Sequence, residues 1–138
     1  MTTNFEFEWI VEDLVCKVAL PQNITDSILD EYDQVLLDVL EHMTHKIHLI
    51  VDLRLIKNMP NLNLARKMKH PYHPNIGRVL MVGLNINPIA RFMASLLAQM
   101  AGISYKSFAT YEETFAYLNQ MEGIAISSQV QGRYDANP

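Results

Sequence analysis

Apolar side chains in this chain recur with the period of a strand in some segments and with the period of a helix in others. The order of these segments is the strongest constraint on the fold. Where apolar and polar residues alternate, or where a short run is continuously apolar and β-branched, the pattern predicts a strand. Where apolar residues recur every three or four positions, it predicts a helix. The predicted strands are residues 5–11, 14–20, 47–51, 78–84 and 103–109. The predicted helices are residues 24–43, 62–69, 88–101 and 110–121.

The order of these elements predicts an α/β fold with a sheet of about five strands. Only Glu12 and Asp13 separate the first two strands, so we expect them to pair as an N-terminal antiparallel hairpin. The alternation of strands and helices that follows predicts a mostly parallel sheet with right-handed crossovers. We expect about four helices, lying mainly on one face of the sheet.

Length and composition predict one domain. With 138 residues, 49% hydrophobic and 19% charged, the chain has the composition of a soluble globular domain that buries most of its apolar side chains. We expect the domain to cover residues 1–126 and the polar residues 127–138 to form a flexible C-terminal tail. Apolar runs are shorter than the roughly 18 residues that cross a bilayer. The N-terminus also lacks a signal-peptide pattern, so we expect a cytoplasmic protein that is not transmembrane.

Charge is unevenly distributed along the chain, although the net charge is only −4. Residues 1–45 hold ten acidic residues and one basic residue, residues 46–106 hold nine basic and one acidic, and residues 107–138 hold four acidic and one basic. Two interpretations stay open. The blocks neutralise one another within the domain or between subunits, or the central block recruits an acidic protein or a phosphate-bearing ligand. The recruiting cations would be Arg54, Lys57, Arg66, Lys67 and Lys69.

Several functional classes are not expected. Nucleic acid is a poor partner for an acidic chain without a recognisable binding motif. The chain has no glycine-rich phosphate loop, no nucleophile elbow, no zinc signature and no carboxylate pair at a defined spacing. Its single cysteine, Cys16, lies on the apolar face of a predicted strand, which favours a buried, unreactive thiol. We therefore expect a protein that is not an enzyme and that holds no metal or cofactor.

Three segments resemble the STAS domain, and in particular its SpoIIAA-like group. They are the strand ending in Val51-Asp52-Leu53, the strand and helix Arg78-Val-Leu-Met-Val-Gly-Leu-Asn-Ile-Asn-Pro-Ile-Ala-Arg-Phe-Met93, and the late segment Ser107-Phe-Ala-Thr-Tyr-Glu-Glu-Thr-Phe-Ala-Tyr-Leu118. The resemblance covers roughly residues 5–122 and implies the fold of anti-sigma factor antagonists and of the regulatory tails of sulphate transporters.

The phosphorylation switch implied by this resemblance is missing. Antagonists of the family carry an Asp-Ser-Ser/Thr-Gly element after the corresponding strand, and a partner kinase phosphorylates its hydroxyl. Alignment on Asp52 puts Pro60, Asn61, Leu62 and Asn63 at that element, and no serine or threonine occurs between His45 and Ala94. The sequence therefore predicts no control by serine phosphorylation in this loop, where Asn61 can still cap the following helix.

The resemblance and the charge pattern together predict a non-catalytic regulatory module that binds a protein. The expected partner is an anti-sigma-type kinase or another acidic regulatory protein. The alternative is a domain that binds a small ligand, such as a nucleotide, a lipid or another amphiphile, between the sheet and the helices. A homodimer is a third possibility. The predicted partner-binding residues are Asn58, Met59, Asn61, Leu62, Asn63, Arg66, Lys67 and Lys69, and the predicted ligand-binding residues are Asp52, Asn85 and Asn87.

Overall fold

The hairpin predicted at the N-terminus is present. The computed structural model describes residues 5–135, and its first strands are β1, Glu6–Val11, and β2, Val15–Ala19. They pair antiparallel, with a register shift near the end of β1. Ile10 belongs to the core on one face of the sheet, while Phe5 belongs to the core on the other face.

The rest of the sheet is parallel, as predicted. Strands β3, Ile47–Asp52, β4, Ile76–Val82, and β5, Lys106–Phe108, follow in sequence order to complete a five-stranded sheet β1-β2-β3-β4-β5. Each of the pairs β2–β3, β3–β4 and β4–β5 is parallel. Strand β5 is shorter than the predicted residues 103–109, because Ile103 and Tyr105 pack against the core instead of pairing in the sheet.

Five α-helices and one 3-10 turn accompany the sheet within residues 5–135. Polar side chains cap the N-termini of several helices. At the start of α1, for example, the Thr25 side-chain oxygen accepts a hydrogen bond of 3.2 Å from the Ile28 amide. Helix α3 ends at Gly102, which has the left-handed conformation that favours glycine. The helices are α1, Asp26–Glu41, α2, Leu62–Arg66, α3, Pro88–Ala101, α4, Tyr111–Glu122, and α5, Ser128–Asp135, and the 3-10 turn is His70–Tyr72.

Two apolar cores lie on opposite faces of the sheet. Alternate residues of each strand point to opposite faces, so Leu49 and Val51 of β3 belong to one core and Ile50 to the other. Helices α1, α2 and α3 cover the first core, whereas α4 and α5 cover the second. Three helices share one face, as expected, but the second face is covered as well, because the chain crosses to it after β5.

The C-terminal segment differs most from the expectation. Residues 128–135 form helix α5, where we expected a flexible tail, and residues 136–138 lie outside the described part. Val130 and Tyr134 anchor this helix against the second core. The helix escaped prediction because two anchors in a polar stretch give almost no apolar periodicity. Met121, near the end of α4, is exposed.

The helices of the described part are too short or too polar to cross a membrane. None of them combines the length and the hydropathy of a membrane span.

Candidate functional site

The segment predicted to bind a partner forms a loop followed by helix α2. Its eight predicted residues are called the α2 surface below, and Asn61 holds them in place. The Asn61 side-chain oxygen accepts hydrogen bonds from the amides of Asn63, at 3.1 Å, and Leu64, at 3.3 Å, and thereby caps α2. The Asn58 amide donates to the side-chain oxygen of Asn23. The α2 surface is Asn58, Met59, Asn61, Leu62, Asn63, Arg66, Lys67 and Lys69.

The cations of the α2 surface face solvent. Arg66, Lys67 and Lys69 are all exposed, and none pairs with an acidic side chain among residues 5–135. Met59 is exposed in the loop before α2, and Leu62 is half-buried. The surface therefore combines free positive charge with an accessible apolar side chain.

Asp33 of helix α1 ties the end of this segment to the body of the domain. Its carboxylate accepts hydrogen bonds from the backbone amides of Lys69, at 3.0 Å, and His70, at 2.9 Å, and lies 2.7 Å from Nδ1 of His70. Partial burial alone would raise the pKa of Asp33, but the bonds to His70 and Lys69 outweigh it and hold the pKa below its ordinary value. The α2 surface is thus fixed at both ends.

A second group of polar residues surrounds a cleft where strands β2 and β3 end. The cleft, called the polar cleft below, has a volume of about 520 Å³. Carboxyl ends of parallel strands are a common place for ligands in α/β proteins. Among these residues the sequence pointed to Asp52 as a ligand-binding residue and to Arg54 as a cation that would recruit an acidic protein or a phosphate-bearing ligand. The polar cleft is lined by Glu6, Lys17, Asp52, Arg54, Tyr111 and Tyr134, together with Ala19, Leu20, Leu55 and Ile86.

Asp52 binds other residues of the chain at this site. Its carboxylate accepts bonds from Arg54 Nε, at 3.0 Å, and Arg54 Nη2, at 2.8 Å, which form a bidentate pair. It also accepts a bond of 2.6 Å from the Tyr111 hydroxyl. Burial and the neighbouring carboxylate raise the pKa of Tyr111, so this hydroxyl stays protonated and donates. Asp52 therefore orients Arg54, which was not predicted as a ligand-binding residue of the cleft.

Lys17 is a buried cation in the middle of β2. Only 3% of its side chain is exposed, and its ammonium lies 2.5 Å from Glu6 Oε1 and 3.7 Å from Glu8 Oε2. It also lies 5.3 Å from the ring centre of Tyr134. Arg133 of α5 pairs with Glu8 at 2.5 Å. Residues of helix α5 thus contact both Lys17 and Glu8, and the charges of Lys17 and Arg133 balance those of the two glutamates.

The two predicted asparagines occupy different environments. Asn85 is exposed in the turn between β4 and α3. Asn87 is buried, and its side-chain oxygen caps α3 by accepting from the Ala90 amide at 3.1 Å. Its amide nitrogen donates to three backbone oxygens of the loop after β3, those of Leu53, Arg54 and Ile56. These bonds assign Asn87 a structural role in holding this loop.

The space between the sheet and the first-face helices is small. An apolar pocket in this space has a volume of about 60 Å³. Sixteen residues line it, among them Tyr32, His70, Met81 and Met93. A dry cavity that accommodates benzene has about 150 Å³. This pocket therefore lacks room for a nucleotide or a lipid. Phe92 and Met100 of α3 are exposed and are not among its lining residues.

Lys17, Tyr111 and Tyr134 were missed because the sequence separates them from Asp52 by at least 35 positions. The one available signal was a lysine inside a strand whose neighbours are all apolar.

No protein-family model matches the chain, and a search of curated proteins finds no match. The resemblance to the STAS domain therefore stays a proposal. Residues 5–135 also contain no group of three or more His, Cys, Asp or Glu side chains able to hold a metal ion.

Proposed function

We propose that this chain is a non-catalytic, STAS-like regulatory module of the cytoplasm that binds an acidic partner protein through the α2 surface. An anti-sigma-type kinase is one partner of this kind. The observation that carries the proposal is the exposure of Arg66, Lys67 and Lys69 without an ion pair among the described residues. Free cations grouped within four residues at the end of α2 attract an acidic surface and raise the rate of encounter.

The fixed position of the α2 surface supports this proposal. The Asn61 cap at one end and the Asp33 bonds at the other restrain the segment. A surface that is already ordered loses less conformational entropy when a partner binds. Met59, exposed in the loop before α2, adds an adaptable apolar contact to the same segment.

The fold supports the STAS-like part of the proposal only in general terms. A mixed sheet with an N-terminal hairpin and parallel strands is compatible with that family. Function does not follow from fold, so the proposal depends on the surface. Because no hydroxyl of serine or threonine lies between His45 and Ala94, we propose constitutive binding in place of a phosphorylation switch at the loop.

Charge reversal tests the proposal. The variant Arg66→Glu/Lys67→Glu/Lys69→Glu should reduce capture of an acidic partner from cells of the source organism by about tenfold or more at low salt. The matched control is Lys46→Glu/Arg91→Glu/Lys106→Glu, which reverses three other exposed cations and changes the net charge equally.

Wild type and control should capture the same partner, with an affinity that falls as salt screens the charges. Equal capture by wild type and the α2-surface variant would refute the proposal. Capture of a second copy of the chain would replace the acidic partner by a homodimer.

A further inference from the structure

Arg54 has hydrogen-bond donors left over in the polar cleft. A guanidinium carries five N–H groups. Arg54 directs Nε–H and one N–H of Nη2 to Asp52, and its other three N–H groups have no hydrogen-bond acceptor within residues 5–135. The side chain lines the cleft and is 27% exposed. Its planar fork fits the two oxygens of a carboxylate, which can bind both terminal nitrogens at once.

The position of Arg54 is fixed before any ligand arrives. Asp52 holds the guanidinium, and the ring of Tyr111 lies below it, with 5.2 Å between Arg54 Cζ and the ring centre. Gly83 lets the aliphatic stem pass, since a Cβ atom there would lie only 2.4 Å from Arg54 Cγ. Asn87 binds the backbone oxygen of Arg54 at 3.3 Å. A donor that is held in place in this way loses little freedom when it binds a ligand.

Two exposed apolar side chains line the cleft together with the Arg54 guanidinium. Leu55 and Ile86 both line the cleft, yet they are 58% and 65% exposed. Neither side chain is covered by the fold, although each would lose unfavourable contact with water if a ligand covered it. The ligand that suits the cleft thus has an apolar part next to its acidic group.

The charges around the cleft limit the charge of the ligand. The negative charge of Asp52 balances the positive charge of Arg54. The negative charges of Glu6 and Glu8 balance the positive charges of Lys17 and Arg133. No surplus of positive charge is available for a dianion such as a phosphate monoester. A monoanion uses the free N–H groups at a lower electrostatic cost.

We propose that the polar cleft binds a small amphipathic monocarboxylate, whose carboxylate accepts hydrogen bonds from Arg54 and whose apolar part covers Leu55 and Ile86. The volume of about 520 Å³ is within the range of about 300–1,000 Å³ that is usual for small-molecule sites. The polar cleft is separate from the α2 surface, so this proposal does not depend on the proposed protein partner.

Titration of the isotope-labelled full chain with octanoate, followed by NMR, tests the proposal. Octanoate should shift the side-chain Nε resonance of Arg54 in a saturable manner. Octyl phosphate, octanol and octylamine, which share the chain but differ in the head group, should each bind more weakly. Octanol binding as tightly as octanoate would refute the role of the carboxylate, and tighter binding of octyl phosphate would refute the preference for a monoanion.

Two variants locate the site. Arg54→Lys keeps a cation beside Asp52 but loses the fork, and it should weaken octanoate binding by about tenfold. Its control is Arg78→Lys, which alters an exposed arginine near Glu122. Leu55→Ser/Ile86→Ser should also weaken octanoate binding by about tenfold. Its control is Met121→Ser, which alters a side chain that is 66% exposed on α4.

Unchanged octanoate affinity in either test variant would overturn the assignment of the site, as would equal losses in the controls. If Arg54→Lys fails to fold, the double serine variant and the head-group series decide the question, because both exposed side chains contribute little to the fold. Charge reversal on the α2 surface should leave octanoate binding unchanged.

Discussion

Replacement of Asn87 should destabilise the protein far more than the loss of an ordinary surface asparagine. The side chain makes four hydrogen bonds at once, one to the Ala90 amide and three to backbone oxygens after β3. Asn87→Ala removes the cap of α3, which costs about 1 kcal/mol. It also leaves the backbone oxygen of Ile56 in a buried position without its 2.7 Å donor, at a further cost of about 1–3 kcal/mol. The expected loss is roughly 2–4 kcal/mol.

Asn87→Asp separates the two roles. Aspartate caps a helix about as well as asparagine does. It cannot donate, however, and it brings a carboxylate next to the carbonyl oxygens of Leu53, Arg54 and Ile56. We therefore expect Asn87→Asp to be at least as destabilising as Asn87→Ala, although it restores the cap.

Urea unfolding followed by circular dichroism measures both effects, provided that the slope with denaturant is unchanged. Asn85→Ala, in the exposed turn two residues earlier, is the matched control and should change stability by less than about 0.5 kcal/mol. Wild-type stability for Asn87→Asp would show that the bonds to the loop contribute nothing. A loss below about 1 kcal/mol for Asn87→Ala would refute the structural role altogether.

Three other variants or measurements test the structure. Burial raises the pKa of the Cys16 thiol to about 12, so iodoacetamide at pH 8 should modify native protein at least about a hundredfold more slowly than urea-unfolded protein, as mass spectrometry would show. Gly83→Ala should cost roughly 1–3 kcal/mol more in urea unfolding than Gly102→Ala, because only the first Cβ meets Arg54, although both glycines have positive φ. Burial lowers the pKa of His48, whose Nδ1 accepts a backbone N–H of β4 at 2.9 Å. Its contribution to stability is complete above pH 6.5 and is lost as pH falls through the lower folded-state pKa, so His48→Gln should reduce the decline in urea midpoint between about pH 7 and 5.

Local periodicity was sufficient to predict most of the fold. The continuous apolar run at residues 47–51 predicted a central strand, and β3 is buried on both faces. The spacing of Ile24 to Met43 predicted a long helix, and α1 covers residues 26–41. These predictions succeeded because each element has its own complete pattern. Helix α5 could not be predicted in this way, because it is held by ring contacts between its Tyr134 and Tyr111 and Phe115 of α4. Local periodicity does not show such contacts.

The candidate sites show the same contrast. The short helix of the α2 surface could be predicted from sequence, because its residues are close together in the chain and it needs only the Asn61 cap. The polar cleft could not, since Lys17, Asp52 and Tyr111 come together only when β2, β3 and α4 meet. The sequence singled out Asp52 and Arg54 for separate reasons but not the pair that they form, because a bidentate pair is a property of geometry.

The two proposed binding sites lie at opposite ends of one immobilised segment. Asn87 binds its beginning, the Lys57 amide donates to the Gln22 oxygen at 2.8 Å, and Asn58 donates to Asn23. Coupling between two sites requires an element with two arrangements that each ligand favours differently. A segment held at several points offers one arrangement, so occupation of the cleft should not alter the α2 surface. Octanoate at saturation should therefore change partner capture by less than about twofold, and a larger change would mean that this segment moves.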